Sequence, residues 1–438
     1  MGCYIKYKCM REIKTEVGFV EFLQSALNWY AALPAAVMIM IGIFLVGLLL
    51  ARLNPLRALK ASIYVAAGII GLNTLVGMFA SAIIPVLVKV ISATGMKLDV
   101  IDLGVASAQS FVIFPLKFYA ILLIVGLGVN ILMIALKLTK TFDVDIFNYY
   151  VWALSSAFVY VLTNSVGWAI AAFVVTEVVI LKLADLTQPA IAREYGLEGV
   201  SVPHGNAVVF APVGMLVNWI IEKIPKVRDI NWSPEAIEKK FGGIVEPSTL
   251  GFVMGIVLGI IAKSSAGEVI QLGLITAAFM IIFPKVLNIL IEGITPVADG
   301  MREFTEKKLH RQLHIGLDAA ILVGMPDVMA TGILLVPVIL LLAFILPGNR
   351  VLPMADLAIA APFLVSCAMP YCKKNIFRGF ISGIIIFIIA LYMCTGTAAL
   401  YTQAAALNGV PFESTSTSLG ICSTPVSWII AKITALFS

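Results

Sequence analysis

Six polar side chains stand in stretches otherwise built from apolar residues: Asp102, Gln109, His204, Asn206, Glu246 and Asp318. At membrane depth such groups are expensive, and they mark a solute pathway or a ligand site. Their types suit one chemistry in particular. A carboxylate accepts two hydroxyl hydrogens side by side, and Asn, Gln and neutral His each donate and accept. Such a set holds a small solute with several hydroxyls and rejects molecules lacking them, because its own buried groups would go unpaired. Other roles stay open for some members. Glu246 directly precedes Pro247 and an apolar run, where the helix dipole also favours a carboxylate as a cap. A structural role, bonded to a backbone carbonyl, fits His204 and its neighbour Asn206 as well. Asp318 opens GLDAAILVGMP and is read as a ligand contact, with Asp102 and Gln109, in IDLGVASAQSFVIFP, as candidates beside it. Asp327, Asn164 and Asn73 fit hydrogen bonds between membrane helices.

The elements that must carry these residues are membrane helices. Of 438 residues, 61% are hydrophobic and 13% charged, against about a quarter charged in soluble domains. Charge-free runs long enough to span a bilayer include Phe22–Leu50, Ala61–Val88, Phe118–Leu136, Ile146–Thr176, Val328–Asn349 and Gly379–Phe412. The expected fold class is an all-α polytopic membrane protein with roughly ten to twelve membrane elements. A net charge of +5 carries no nucleic-acid signal. Lys6, Lys8, Arg11 and Lys14 precede an amphipathic stretch from Glu16 to Tyr30, and the apolar run that follows is too long for a signal peptide. It is read as the first membrane helix. Basic clusters follow nearly every second element, so loop charge leaves the orientation open.

The six cysteines form no CxxC pair, and four lie in apolar segments as small buried hydrophobes. No P-loop, GxGxxG or GxSxG occurs. In HRQLH (His310, His314) Arg311 stands where a metalloprotease glutamate would be, which places the pair in a basic loop. No catalytic residue, metal ligand or cofactor is expected.

The segment Gly199–Ile221 (GVSVPHGNAVVFAPVGMLVNWII) is free of charge yet broken by Pro203, Gly205, Pro212 and Gly214. Non-helical backbone at membrane depth is tolerated only where protein or a watery cavity receives it. This segment is therefore read as a re-entrant element presenting His204. Glu222–Gly243, a polar loop with one short helix from Ser233, follows it and divides the chain near its middle. The two halves resemble each other in hydropathy, aligning Pro85 with Pro296 and Asp145 with Asp356 at one offset of about 211 positions. A duplicated transporter places its site near the midplane, where broken segments meet. Gly251, Gly255 and Gly259, four apart, predict close packing against another helix.

The motifs VPHG, IEKIP, KFGG, EPSTLGFVMG, GLD and PGNRVLP, in that order and spacing, resemble the galactitol-specific IIC components of the bacterial phosphotransferase system. FDVDIFN upstream and RGFISG downstream fit too, and the likeness runs from about Leu50 to Lys432. The resemblance implies two inverted repeats with re-entrant hairpins near Asp102–Pro115 and Gly316–Pro337. It implies a scaffold (1–95 and 246–310), an elevator-like sliding core (96–245 and 311–438) and a homodimer. It also implies a permease of the bacterial inner (cytoplasmic) membrane for galactitol or a similar polyol. The polyol would be bound by His204, Asn206, Glu246, Asp318, Gln109 and Asp102. Phosphate would come from a cysteine of a separate IIB subunit, itself supplied by IIA.

Two departures from that pattern stand out. GVASAQSFV replaces a Trp- and Pro-containing hairpin, which leaves the particular polyol open, and the family's further helix after PVSW is not present before Ser438. The rival reading is an ion-coupled secondary transporter with Glu246 and Asp318 as proton or sodium sites. An intramembrane enzyme lacks its nucleophile and metal patterns.

Overall fold

The computed structural model describes residues 35–49, 51–94, 98–143, 145–232, 247–309, 313–353, 355–412 and 414–437. Glu246, His310, the helix expected from Ser233 and the stretch from Glu16 to Tyr30 lie outside the described residues. The first half begins with helices α1 (Ala35–Leu49) and α2 (Pro55–Thr94). Strand β1 (Val100–Asp102), short helix α3 (Gly104–Ser107) with a π-helical continuation (Ala108–Ile113), and helix α4 (Tyr119–Ala135) follow. Next come strand β2 (Thr141–Asp143), helices α5 (Ile146–Thr163) and α6 (Val166–Tyr195), and strand β3 (Val200–Ser201). A 3-10 turn (Val208–Phe210) leads into α7 (Ala211–Glu222).

The second half runs through the same order of elements. Helices α8 (Pro247–Ile261) and α9 (Ala266–Leu309) precede strand β4 (His314–Gly316), short helix α10 (Ala320–Val323) and α11 (Pro326–Ile345). Strand β5 (Val351–Leu352), helices α12 (Leu357–Ser366) and α13 (Ile376–Leu407), strand β6 (Ser416–Thr417), and helices α14 (Leu419–Cys422) and α15 (Pro425–Thr434) complete it.

Among the described residues three helices, α6, α11 and α13, are long and apolar enough to cross a bilayer. On α4 the side chains of Ile121, Ile124, Leu127 and Ile131 are exposed and fall on one stripe, as a lipid-facing surface requires. Helices α2 and α9 are 40 and 44 residues long, about 60 Å or more at 1.5 Å per residue. They run antiparallel, since Lys89 near the end of α2 pairs at 2.9 Å with Glu268 near the start of α9.

The glycines of α8 do what their spacing predicts. A Cβ on Gly255 would meet the Leu272 carbonyl of α9 at 2.5 Å, and one on Gly259 would meet Val269 at 3.0 Å. Gly255→Val is therefore expected to push α8 off α9 and destabilise the fold by about 1–3 kcal/mol. A lowered thermal midpoint in detergent checks this.

An all-α fold is not quite what the chain adopts. Among the described residues six strands of two or three residues form two parallel sheets, in the orders β5-β1-β6 and β2-β4-β3. In each, the central strand comes from one half and both flanking strands from the other. Ile101 pairs with Leu352 and Ser416. Ile315 pairs with Phe142 and Val200. The physical cause is the broken helices. Where the chain leaves helical geometry inside an apolar surrounding, its N–H and C=O groups need partners, and the other half supplies them. His314 belongs to β4, its N–H bonded to the Lys140 carbonyl at 2.8 Å, and not to a basic loop.

Two other expectations shift. The run Ile146–Thr176 divides at Asn164, whose left-handed backbone (φ 50) ends α5 while the Ser165 side chain caps α6. Asn164 is exposed and terminates a helix, so it does not glue two together. Helix α6 then continues to Tyr195, carrying a buried carboxylate, Glu177, at its middle. The turn after α10 comes at Gly324–Met325, and α11 passes through Pro337 without ending. The core holds Trp152, Phe158, Phe173, Phe210, Phe387 and Tyr401, all fully buried. Cys367, Cys372, Cys394 and Cys422 are buried free thiols.

Candidate functional site

The polar cluster forms where the strands of sheet β2-β4-β3 end. Strand β4 finishes at Gly316, where a Cβ would meet the Asp143 Cα at 2.8 Å and the Pro203 Cγ at 2.9 Å. Only glycine lets the three chains approach this closely. The next two residues carry Asp318 to the start of α5. Asp145 caps that helix, Oδ1 accepting from the Phe147 N–H at 3.0 Å, while its Oδ2 accepts the Asp318 N–H at 3.1 Å. Asp318 turns its own Oδ1 to the Ala320 N–H (2.6 Å) and its Oδ2 to His204 Nδ1 (3.2 Å).

His204 is held from several sides. Its Nδ1 also lies 3.0 Å from Asn148 Oδ1, and Asn148 Nδ2 donates to Asp143 Oδ1 at 2.9 Å. Both neighbours of Nδ1 are acceptors, so Nδ1 carries a hydrogen and Nε2 is the ring nitrogen left for a further partner. The preceding carbonyl of Pro203 accepts from Trp152 Nε1 at 3.2 Å, and Gly205 packs so tightly on Val151 that a Cβ would lie 2.7 Å from its Cγ1. The Phe363 ring of α12 lies 5.8 Å from the imidazole, so both halves contribute walls.

Tyr150, one turn into α5, is buried; its hydroxyl faces the Gln109 side chain and lies within electrostatic reach of both Asp318 and Asp356. Gln109, half-buried on the π-helical turn, thereby joins the cluster. The structure thus brings His204, Asp318 and Gln109 together. Asn206 turns away, accepting from Thr424 Oγ1 at 2.7 Å, and ties its segment to the start of α15.

Asp102 belongs to a second cluster at the ends of sheet β5-β1-β6. Its Oδ1 accepts from the amides of Gly104 (3.1 Å) and Leu419 (3.0 Å), and its Oδ2 from that of Asp356 (3.0 Å). Asp356 in turn accepts from Val105 N–H (2.7 Å), Gly420 N–H (3.0 Å) and Ser418 Oγ (2.6 Å). These two carboxylates are occupied in holding three chain segments. Asp327 is likewise engaged, its Oδ2 accepting from Tyr195 Oη at 2.6 Å. The side chain of Asn73 lies outside what the structure describes.

Asn148, Tyr150 and Asp145 sit in FDVDIFNYY, which sequence reasoning took as one arm of the repeat and as part of the family resemblance, not as site residues. The available signal was their crowding: amide, phenol and two acids within the first turns of one apolar helix. The cluster offers a hydroxyl acceptor in Asp318, the second ring nitrogen of His204, and amphoteric partners in Tyr150 and Gln109. Among the described residues no group of His, Cys, Asp and Glu is placed to hold a metal ion. Removing Asn148 tests the histidine's positioning. Asn148→Ala is expected to weaken ligand binding about 5- to 10-fold, the worth of one hydrogen bond near 1 kcal/mol, as read by calorimetric titration.

Apolar helices around a buried, polyfunctional polar cluster define a membrane protein built to receive a small polar solute. The chain belongs to the PTS system sugar-specific permease component family (EIIC-GAT), whose pattern it matches over residues 33–417. It is 32% identical over 376 residues to the PTS system galactitol-specific EIIC component of Escherichia coli K12, covering 85% of this chain and 83% of that one. The galactitol-specific EIIC component of Escherichia coli O157:H7 matches to the same extent. A relative that bears a permease IIC name in strain K12 is 32% identical over 412 residues, 93% of this chain and 94% of its own.

Proposed function

We propose that this chain is the IIC permease of a phosphoenolpyruvate-dependent phosphotransferase system, binding galactitol or a similar polyol and translocating it for phosphorylation by a separate IIB subunit. The observation that carries the reading is the convergence of Asp318, His204, Tyr150 and Gln109 from both halves on one buried point. Each can bond a hydroxyl, and a polyol supplies several hydroxyls at once. Glu246 stays in the proposal as a further carboxylate for the sugar, while Asn206 and Asp102 act by holding segments in place.

Family membership and the shared order of elements support a duplicated, inverted architecture with two re-entrant hairpins around α3 and α10. The long pair α2 and α9 suits the scaffold of an elevator in a homodimer, and the interleaved sheets suit a core that moves as one body.

Charge supports a cytoplasmic side. Helices α6 and α7 end, and α13 begins, at a face carrying Arg193, Lys223, Lys226, Arg228, Lys373 and Lys374. That face is one surface: Glu222 pairs with Lys373 (2.8 Å) and Arg378 (2.6 Å), and Lys374 lies over the Tyr195 ring at 5.3 Å. The turn between α5 and α6 at the other end, Asn164–Ser165, has no Lys or Arg. Basic loops favour the cytoplasm, which is where IIB, fed by IIA, would meet the bound polyol.

The test is a binding screen of purified protein against galactitol, other hexitols, pentitols and ascorbate. Saturable binding of a hexitol supports the reading, and binding confined to ascorbate or to none of these refutes it.

A further inference from the structure

The Asp318–His204–Asn148 chain does not stop at Asp143. Glu177, at the middle of bilayer-length helix α6, is fully buried, and neither of its oxygens has a hydrogen-bond partner. Asp143 is buried too, and while its Oδ1 holds Asn148 and the Asp145 amide, its Oδ2 has no partner. Asp143 lies within electrostatic reach of Glu177, and Tyr149 of α5 lies within reach of both. Asn130 of α4 packs against both: its backbone N–H faces the Glu177 carboxylate without completing a hydrogen bond, and its side chain bonds the Asp143 N–H and the Thr141 carbonyl, both at 2.9 Å.

Two buried carboxylates with three open oxygens are costly to keep charged and unpaired inside a membrane protein. The surrounding elements do not supply the missing positive charge. Tyr149 is the titratable side chain that α5 brings here, and Asp145, which caps α5 and accepts the Asp318 amide, adds a further negative charge beside Asp143. On α6 itself Lys182 donates to the Leu138 carbonyl at 2.7 Å, and Asp185 accepts from Thr141 Oγ1 at 2.9 Å. Neither Glu177 nor Asp143 has an ion-pair partner among the described residues.

We propose that Asp143 and Glu177 form a site for one small monovalent cation, a proton or sodium, placed directly behind the solute site and coupled to it through Asn148 and His204. The coupling follows from the bonds. Asp143 Oδ1 orients the Asn148 amide, whose Oδ1 receives the His204 Nδ1 hydrogen and so aims Nε2 at the solute. A cation on Asp143 Oδ2 and Glu177 relieves their repulsion and fixes this relay, so loading the site tightens solute binding. The inference rests on the polyol reading for its coupling but not for the cation site itself.

The experiment titrates galactitol into purified protein from mildly acidic to mildly alkaline buffer, with sodium chloride or choline chloride, and follows thermal unfolding in the same buffers without sugar. For the wild type, affinity is expected to fall about 5-fold or more in alkaline choline buffer, the usual lower range of coupling between sites. Restoration by sodium identifies that ion, and restoration by acid alone identifies the proton. In Glu177→Gln, an uncharged isostere, affinity stays high and the response to pH and sodium disappears; Asp143→Asn loses the response as well. The unfolding curves decide the case in which no polyol binds. A sodium- or acid-induced rise in midpoint present in the wild type and absent from Glu177→Gln upholds the cation site while the polyol reading falls. Equal responses of wild type and Glu177→Gln in both measurements overturn it.

Discussion

Asp318→Asn is expected to weaken polyol binding by about 10- to 100-fold, the range that corresponds to losing a hydrogen bond from a charged group. The substitution keeps the side chain's shape, and the amide oxygen still serves the Ala320 N–H that now binds Oδ1 at 2.6 Å. What it removes is the charge opposite His204 Nδ1 and the second acceptor for a sugar hydroxyl. The amide nitrogen would then face a nitrogen that already carries hydrogen, so the imidazole loses one of its two anchors. Affinity measured by calorimetry should fall while the thermal midpoint changes little. Unchanged affinity would remove Asp318 from the site.

The second large effect is on stability. Asp356→Ala strips the acceptor from Val105 N–H, Gly420 N–H and Ser418 Oγ, three donors from two other segments in a buried setting. Each buried donor left unpaired costs about 1–3 kcal/mol, so the sum reaches about 3 kcal/mol or more. A loss of this size is a large share of a typical folding stability of about 5–15 kcal/mol. Fluorescence-detected size exclusion after a heating series should show the variant aggregating well below the wild type. Ser418→Ala, which removes one of the three donors, should lose only about 1 kcal/mol. Similar losses in the two variants would show that Asp356 does not hold the segments together.

Much of this was legible in the sequence because it was written in hydropathy and helix breakers. Pro203, Gly205 and Pro212 announce a broken segment inside an apolar run, and the chain there runs as strand, turn, 3-10 turn and helix. The offset that aligned Asp145 with Asp356 falls on two residues that do related work. Each accepts an amide from the other half, Asp145 from Asp318 and Asp356 from Val105. The glycines of α8 were readable for the same reason, since spacing of four needs no knowledge of the partner.

What escaped had no local signature. Strands of two or three residues are too short to show an alternating pattern, and they exist because the other half offers a partner. Glu177 was hidden by the counting of charge-free runs, which ended at Thr176 one residue before it. Asn148 and Tyr150 gain their roles from neighbours far away in the chain, as the His204–Asn148 bond across 56 positions illustrates. Asp102 reads the same as Asp318 in sequence, an acid beside a glycine before an apolar stretch. The surrounding amides separate them: Asp102 accepts three from its neighbours, whereas Asp318 accepts that of Ala320 and turns its other oxygen to His204.

The central claim is that this chain delivers a polyol to a phosphoryl donor. Membrane vesicles containing it, supplied with phosphoenolpyruvate and the soluble phosphotransferase subunits, should convert radiolabelled galactitol to galactitol phosphate, with the label appearing on the cytoplasmic side only as the phosphate. Omitting phosphoenolpyruvate or the IIB subunit should abolish accumulation. Uphill accumulation of free, unphosphorylated galactitol driven by an ion gradient alone would contradict the account.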